Sequence, residues 1–241
     1  MSNTPLDKVD KILLGLDREY VLSLGEKNVS KYVWSCKIHR NLIEACVHKN
    51  IVGVQYFVDK SNDKDEALKY AVIYGHLEIV KYLIEKGADV DSNDGYALCQ
   101  YAKNGDFDMI KYLIEHNANV NINNGYALWI SAQNDRLDII VYLVDNGANV
   151  HANEDEALYN STLYGTLITV KYLVSKGANH DSALINAVMH KRLDIVRFLV
   201  EECGYDVHIY DDYALYIANR NASDNPNDRK WFDIIKYLYR K

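Results

Sequence analysis

The chain has 241 residues, 49% of them apolar and 25% charged, the balance of an ordinary folded protein rather than a disordered one. Its 27 Lys and Arg against 34 Asp and Glu leave a net charge of −7, which argues against nonspecific nucleic-acid binding. Apolar runs such as Ile139–Val144 are too short to cross a bilayer, so no membrane partner is expected.

The opening residues, MSNTPLDKVDK, lack an apolar stretch behind a basic start, so no secretory signal is expected. Cys36, Cys46, Cys99 and Cys203 share no metal-like spacing and read as reduced thiols of an intracellular protein. Over residues 1–40, Val9, Ile12, Leu13 and Leu16 fall at helical spacing, followed by Tyr20, Val21 and Leu24. The segment is expected to be an N-terminal helical cap or a degenerate repeat, because a stacked array needs its first unit covered.

From residue 41 to 241 one phrase recurs. It reads GHLEIVKYLIEKGADV at Gly75–Val90, then GDFDMIKYLIEHNANV at Gly105–Val120, DRLDIIVYLVDNGANV at Asp135–Val150 and GTLITVKYLVSKGANH at Gly165–His180. Tyr82, Tyr112, Tyr142 and Tyr172 recur at intervals of 30 residues. A fixed period in the range of about 20–50 residues is the mark of a stacked-repeat protein. Leu42, Leu68, Leu98, Leu128, Leu158, Leu184 and Leu215 mark a first helix in each of about seven units, all but Leu42 preceded by alanine.

The second segment of each unit is helical by periodicity, with Leu77, Ile79, Val80, Leu83 and Ile84 as its apolar face and Lys81 and Glu85 solvated. Gly87, Gly147 and Gly177 supply the left-handed residue that ends such a helix, and Asn117 substitutes for them once. The fold class predicted is therefore an all-α solenoid of helix-turn-helix units with short loops. The last unit carries an insertion, Asn221–Arg229 (NASDNPNDR), whose composition predicts an exposed loop.

That unit resembles the ankyrin repeat. The pieces that carry the resemblance are Gly-His-Leu-Glu-Ile-Val before the second helix, Gly-Ala-Asp-Val after it, and Asp94-Gly95-Tyr96 leading into the next first helix. The unit departs from the family in having Ala-Leu where Thr-Pro-Leu-His is usual, and in its length of 30 residues against about 33. Short, tyrosine-rich units of this kind are similar to the ankyrin proteins of mimivirus-like giant viruses, which implies an intracellular setting in a host, its cytoplasm first. In the ankyrin family loops and first helices line a concave face that takes protein partners. Mapped onto this chain, that face would use Glu66, Tyr74, Tyr96, Lys103, Tyr126, Gln133, Glu156, Tyr164 and Tyr213. The four tyrosines of highest rank are Tyr96, Tyr126, Tyr164 and Tyr213, since rigid amphipathic aromatics dominate interfaces.

The loops also carry Asp63, Asp65, Asp89, Asp91, Asp94, Glu154, Asp155, Asp181, Asp211 and Asp212. They could form an acidic rim for a partner with a basic surface, or they could organise turns through their own backbone bonds. The aromatic series Tyr56, Tyr82, Tyr112, Tyr142, Tyr172, Phe198 and Tyr237 is expected to be a packing ladder. No nucleophile–base pair, phosphate loop or metal-ligand spacing can be named, so neither an enzyme, a cofactor nor a metal is expected. The expected protein is a monomeric, noncatalytic interaction scaffold for a host or viral protein. The alternative is a substrate adaptor of a ubiquitin ligase, because Pro5-Leu6, Ile12-Leu13, Leu16-Asp17 and Val33-Trp34 are loosely similar to an F-box.

Overall fold

A computed structural model describes residues 42–241. The N-terminal cap and the F-box-like pattern expected before Asn41 lie outside the described residues. The chain divides into two compact units, each taken by itself below.

The first unit holds residues 42–100 with Glu115–Ala118. It contains α1 (Leu42–Val47), α2 (Ile51–Phe57), a 3-10 turn (Val58–Lys60), α3 (Lys64–Ile73) and α4 (Leu77–Glu85). Helix α1 packs on both α2 and α3, and α3 on α4. The second unit holds Tyr101–Ile114 and Asn119–Lys241. Helices α5 (Ser92–Asn104) and α6 (Phe107–Glu115) straddle the division. Wholly within it are α7 (Ile122–Gln133), α8 (Leu137–Asp145), α9 (Ala152–Tyr164), α10 (Leu167–Ser175) and α11 (Ala183–Met189), then α12 (Leu193–Glu201), α13 (Ile209–Asp224) and α14 (Arg229–Leu238). First helices α7, α9, α11 and α13 pack in succession, each backed by the second helix of its own unit. All fourteen elements above the 3-10 turn in length are helices, and no strand occurs among the described residues.

The core is built as the sequence pattern requires. Leu68, Leu98, Leu128, Leu158 and Leu184 are buried at 1% exposure or less, with their preceding alanines beside them. Small residues at these positions let successive first helices approach closely. In the second helices Ile79, Val80, Leu83, Met109, Ile110, Leu113, Ile139, Ile140 and Leu143 are buried. Leu77 is a correction to the predicted apolar face: it is 42% exposed, because it opens α4 and lies off the arc centred on Ile79, Val80 and Leu83. Gly87, Gly147, Gly177 and Asn117 all take positive φ where the second helices end, as expected.

The segment expected as a loop over 221–229 is mostly helix. Helix α13 continues to Asp224 with Ala222 buried, and α14 starts at Arg229, so the connection itself is only residues 225–228. Asn221 and Asn225 bond back to the carbonyls of Ile217 and Asn221, which is how polar residues with loop composition extend a helix. Lys191 Nζ reaches Asp228 at 2.8 Å and Trp231 is buried, anchoring the far side of the connection.

Candidate functional site

The repeats whose marker leucines lie 30 or 31 residues after the preceding one share one backbone device, a left-handed turn of three residues. In the second unit, Asn123, Asn124 and Gly125 take φ of 51°, 53° and 71°, and Asn153, Glu154 and Asp155 take 52°, 59° and 59°. Asn93, Asp94 and Gly95 do the same at the start of α5, and Tyr210, Asp211 and Asp212 at the start of α13. The left-handed region costs roughly 1–2 kcal/mol for an ordinary residue and is least costly for Gly, Asn and Asp, which explains the composition of these turns. Gly125 is required for a second reason: a Cβ there would stand 2.7 Å from the Cβ of Ala152 in the next turn.

Successive turns are tied by side-chain bonds. Asn149 N–H donates to Asn121 Oδ1 (2.7 Å), while Asn121 Nδ2 donates to Gly147 O (3.0 Å). Asn179 N–H donates to Asp155 Oδ1 (3.0 Å), and Tyr205 O–H to Asn179 Oδ1 (2.6 Å). Within the first unit Asp89 N–H donates to Asp65 Oδ1 at 2.7 Å. These bonds sort the acids into two groups. Asp65, Asp89, Asp155, Asp206 and Asp212 organise turns, accepting backbone N–H groups or, for Asp212, the ring of His208. That hydrogen bond and the Asp212 charge hold the His208 pKa above its ordinary value. Asp94, Glu154, Asp181 and Asp211 are exposed, and their carboxylates have no hydrogen bond or ion pair among the described residues. Asp94, Glu154 and Asp211 occupy the middle position of the left-handed turn, as Asn124 does. The second unit thus has three consecutive turns carrying unpaired acids: Glu154, Asp181 and Asp211.

The nine residues proposed from sequence fall in different surroundings. Glu66, Tyr74 and Tyr96 belong to the first unit and the other six to the second. Glu66, Tyr96, Tyr126, Glu156 and Tyr213 lie in the opening turns of first helices, past the loop rather than at its tip. The trimmed loop puts the tip one or two residues earlier. Tyr74 and Tyr164 end first helices and are 51% and 55% exposed. Tyr213 is 45% exposed, whereas Tyr96 and Tyr126 are half-buried, Tyr126 packing edge-on against Trp129 at 4.5 Å. Lys103 is exposed, Gln133 half-buried. Glu66 pairs with Lys69 at 3.5 Å, and Glu156 turns back to accept from Asn160 Nδ2 at 3.0 Å.

Sequence reasoning missed several exposed apolar residues beside these. Tyr210, Tyr216 and Ile168 are 58%, 57% and 66% exposed. The signal was present. Ile168 stands where other second helices have Glu78, Asp108, Asp138, Asp194 and Asp233, and Tyr210 where other turns have Asn93, Asn123 and Asn153.

The second-helix aromatics behave as a frame. Tyr82, Tyr142 and Tyr172 are half-buried, Phe198 and Tyr237 buried at 8% exposure. Phe107 meets Tyr142 edge-on at 5.3 Å, and Tyr237 O–H donates to Glu201 (3.1 Å). Burial and then that carboxylate push the Tyr237 phenol up to about 12. Burial alone pushes the Cys46 thiol up to about 12, which keeps it an inert core group. Among the described residues, no group of three or more His, Cys, Asp or Glu could hold a metal ion, and no helix is long and apolar enough to cross a membrane.

No curated protein matches the chain. A family profile described as ankyrin repeats (3 copies) matches residues 28–94, 91–154 and 128–211. The matches span well over half of the sequence, and the helix-turn-helix units, left-handed helix ends and buried Ala-Leu markers account for them in physical terms. Ankyrin repeats generally mediate protein–protein interactions, and the chain belongs to the ankyrin-repeat family.

Proposed function

We propose that the chain is a noncatalytic scaffold whose turns and first helices hold a basic segment of a protein partner, and that the second unit carries the main contact. The observation behind this reading is the division among the acids. Where Asp155 and Asp212 are consumed by turn geometry, Glu154, Asp181 and Asp211 stand exposed and unpaired in consecutive turns, with Tyr164 and Tyr213 exposed near them in sequence. A carboxylate with no partner in its own chain can accept a cation from another. Charges of this sort chiefly accelerate association and select partners, while exposed tyrosines supply the contact area. The short tyrosine-rich units favour a host or viral protein as the target and the host-cell interior as the setting, with the scaffold acting as a monomer.

The test is capture from host cells expressing the intact chain or a variant with Glu154→Gln, Asp181→Asn and Asp211→Asn, followed by association kinetics of the captured partner at several salt concentrations. The expected result is a basic partner whose association rate falls with salt for the intact chain and is slow and flat with salt for the variant. A partner bound equally well by both chains, with no salt dependence, overturns the proposal.

A further inference from the structure

We infer that the last repeat holds a specific site for an arginine side chain of the partner, formed by Tyr210, Asp211, Tyr213 and Tyr216. This deepens the function proposed above and rests on it.

The left-handed turn is the starting point. Asn93, Asn123 and Asn153 open the first three such turns, and Tyr210 opens the fourth with the same backbone (φ 52°, ψ 51°). A bulky aromatic is a true outlier in that region, whereas a short polar side chain tolerates it. Tyr210 does not recover the cost by packing, because it is 58% exposed. A strained residue that gains nothing from the fold is best explained by what it presents outward.

The same opening of α13 carries two more exposed aromatics, at Tyr213 and Tyr216. The rings of Tyr213 and Tyr216, 45% and 57% exposed, lie 6.0 Å apart and within 18° of parallel. Four tyrosines of second helices are covered by the chain's own cations: Lys60 over Tyr56 (3.7 Å), Lys86 over Tyr82 (5.6 Å), Lys176 over Tyr172 (5.3 Å) and Arg197 over Tyr237 (5.5 Å). No cation of the described residues covers Tyr210, Tyr213 or Tyr216. Beside them Asp212 is occupied by His208 at 2.5 Å, but the Asp211 carboxylate has no partner. Uncovered rings in the same helix opening as an unpaired carboxylate complement a positive charge. A guanidinium suits both at once, since its plane stacks on a ring while its edge offers two donors to a carboxylate; an ammonium satisfies only one.

The experiment uses the whole chain and fluorescently labelled oligo-arginine and oligo-lysine peptides of equal length, read by anisotropy at one ionic strength, with sedimentation of the chain alone. Variants are Tyr210→Asn, which restores the residue of the other turns, Asp211→Asn, and Tyr239→Ala as an exposed aromatic elsewhere (69%). The expected result is tighter binding of oligo-arginine than of oligo-lysine. Tyr210→Asn then weakens the arginine peptide by about two- to fivefold, leaves the lysine peptide unchanged, and raises the melting midpoint by about 2–4 °C through relief of the backbone. Asp211→Asn weakens the arginine peptide, and Tyr239→Ala changes neither. Equal binding of both peptides with no response to Tyr210→Asn overturns the arginine site and leaves the basic-partner reading intact; binding of neither overturns both. A concentration-dependent dimer that Tyr210→Asn abolishes, without any effect on the peptides, makes a second copy the occupant and overturns the inference as well.

Discussion

In the second helices, equivalent positions stay buried from repeat to repeat, at Ile79, Met109, Ile139, Thr169, Ile195 and Ile234, and one aromatic position is kept throughout, as Tyr82, Tyr112, Tyr142, Tyr172, Phe198 and Tyr237. At the ends of the first helices the equivalent positions read Tyr74, Asn104, Asn134, Tyr164 and His190, and all are exposed. The backbone is held constant by the first set, so the second set is free to vary without cost to the fold. A repeat scaffold separates stability from recognition in this way, and the separation can be attacked from either side.

The largest effect should come from the constant side. Leu113 is fully buried, and Leu113→Ala should lose about 2–5 kcal/mol in chemical denaturation. Tyr164→Ala, on the variable side, should cost less than about 0.5 kcal/mol while weakening partner capture. Equal stability losses from the two would dissolve the distinction.

Asp135 sharpens it by joining two repeats of the second unit. It stands at a positive-φ position where other repeats have Gly75 and Gly105, and its Oδ1 accepts from Thr166 N–H (2.9 Å), Thr166 Oγ1 (3.2 Å) and the buried Thr169 Oγ1 (2.6 Å). Asp135→Ala should lose roughly 1.5–3 kcal/mol, since these are bonds to a charged acceptor. Asp135→Gly should lose less, because glycine relieves the left-handed backbone while forfeiting the same bonds. Identical melts for the two would show that backbone strain plays no part.

Ile168 tests the comparison in the opposite direction, toward gain. Carboxylates at this position in five other second helices complement the positive end of the helix dipole, and Ile168 forgoes that with 66% of its surface exposed. Ile168→Asp should stabilise α10 by about 0.3–1 kcal/mol. If the exposed isoleucine serves recognition, the same variant weakens partner binding as it strengthens the fold.

How much of this could be read from the sequence follows from the same division. Periodicity revealed the helices and the buried face, because burial repeats with the helical turn: Leu98, Leu128 and Leu158 marked the core directly. The site was less legible, because exposure depends on how far a neighbouring turn reaches. Tyr96 and Tyr213 are equivalent in sequence, yet one is half-buried and the other presents 45% of its surface. Asp155 and Asp211 look alike in composition, but only the bonds from Asn179 and His151 show that the first is engaged. The left-handed turns were hidden for another reason: Asn and Asp mark many kinds of turn, and only backbone angles distinguish them. NASDNPNDR misled because its asparagines cap carbonyls inside a helix as readily as they form a loop.

The smallest expected effect concerns the turn acids that are engaged. The Asp212 hydrogen bond and charge raise the His208 pKa above its ordinary value of about 6.5. A group whose folded pKa is raised contributes stability fully below its unfolded pKa, and that contribution fades as pH rises through the folded value. The turn before α13 should therefore be firmest in mildly acidic solution and loosen as pH passes above the raised value. Titration of the His208 ring by NMR should give a midpoint above that of the exposed-histidine reference, falling back toward it in Asp212→Asn. The unpaired Asp211, one residue away, should leave the midpoint nearly unmoved when changed to Asn, since its carboxylate makes no bond to the ring. An equal fall in both variants would mean that the His208 shift reports the general negative field of the turn, and the division between engaged and unengaged acids would have to be redrawn at this repeat.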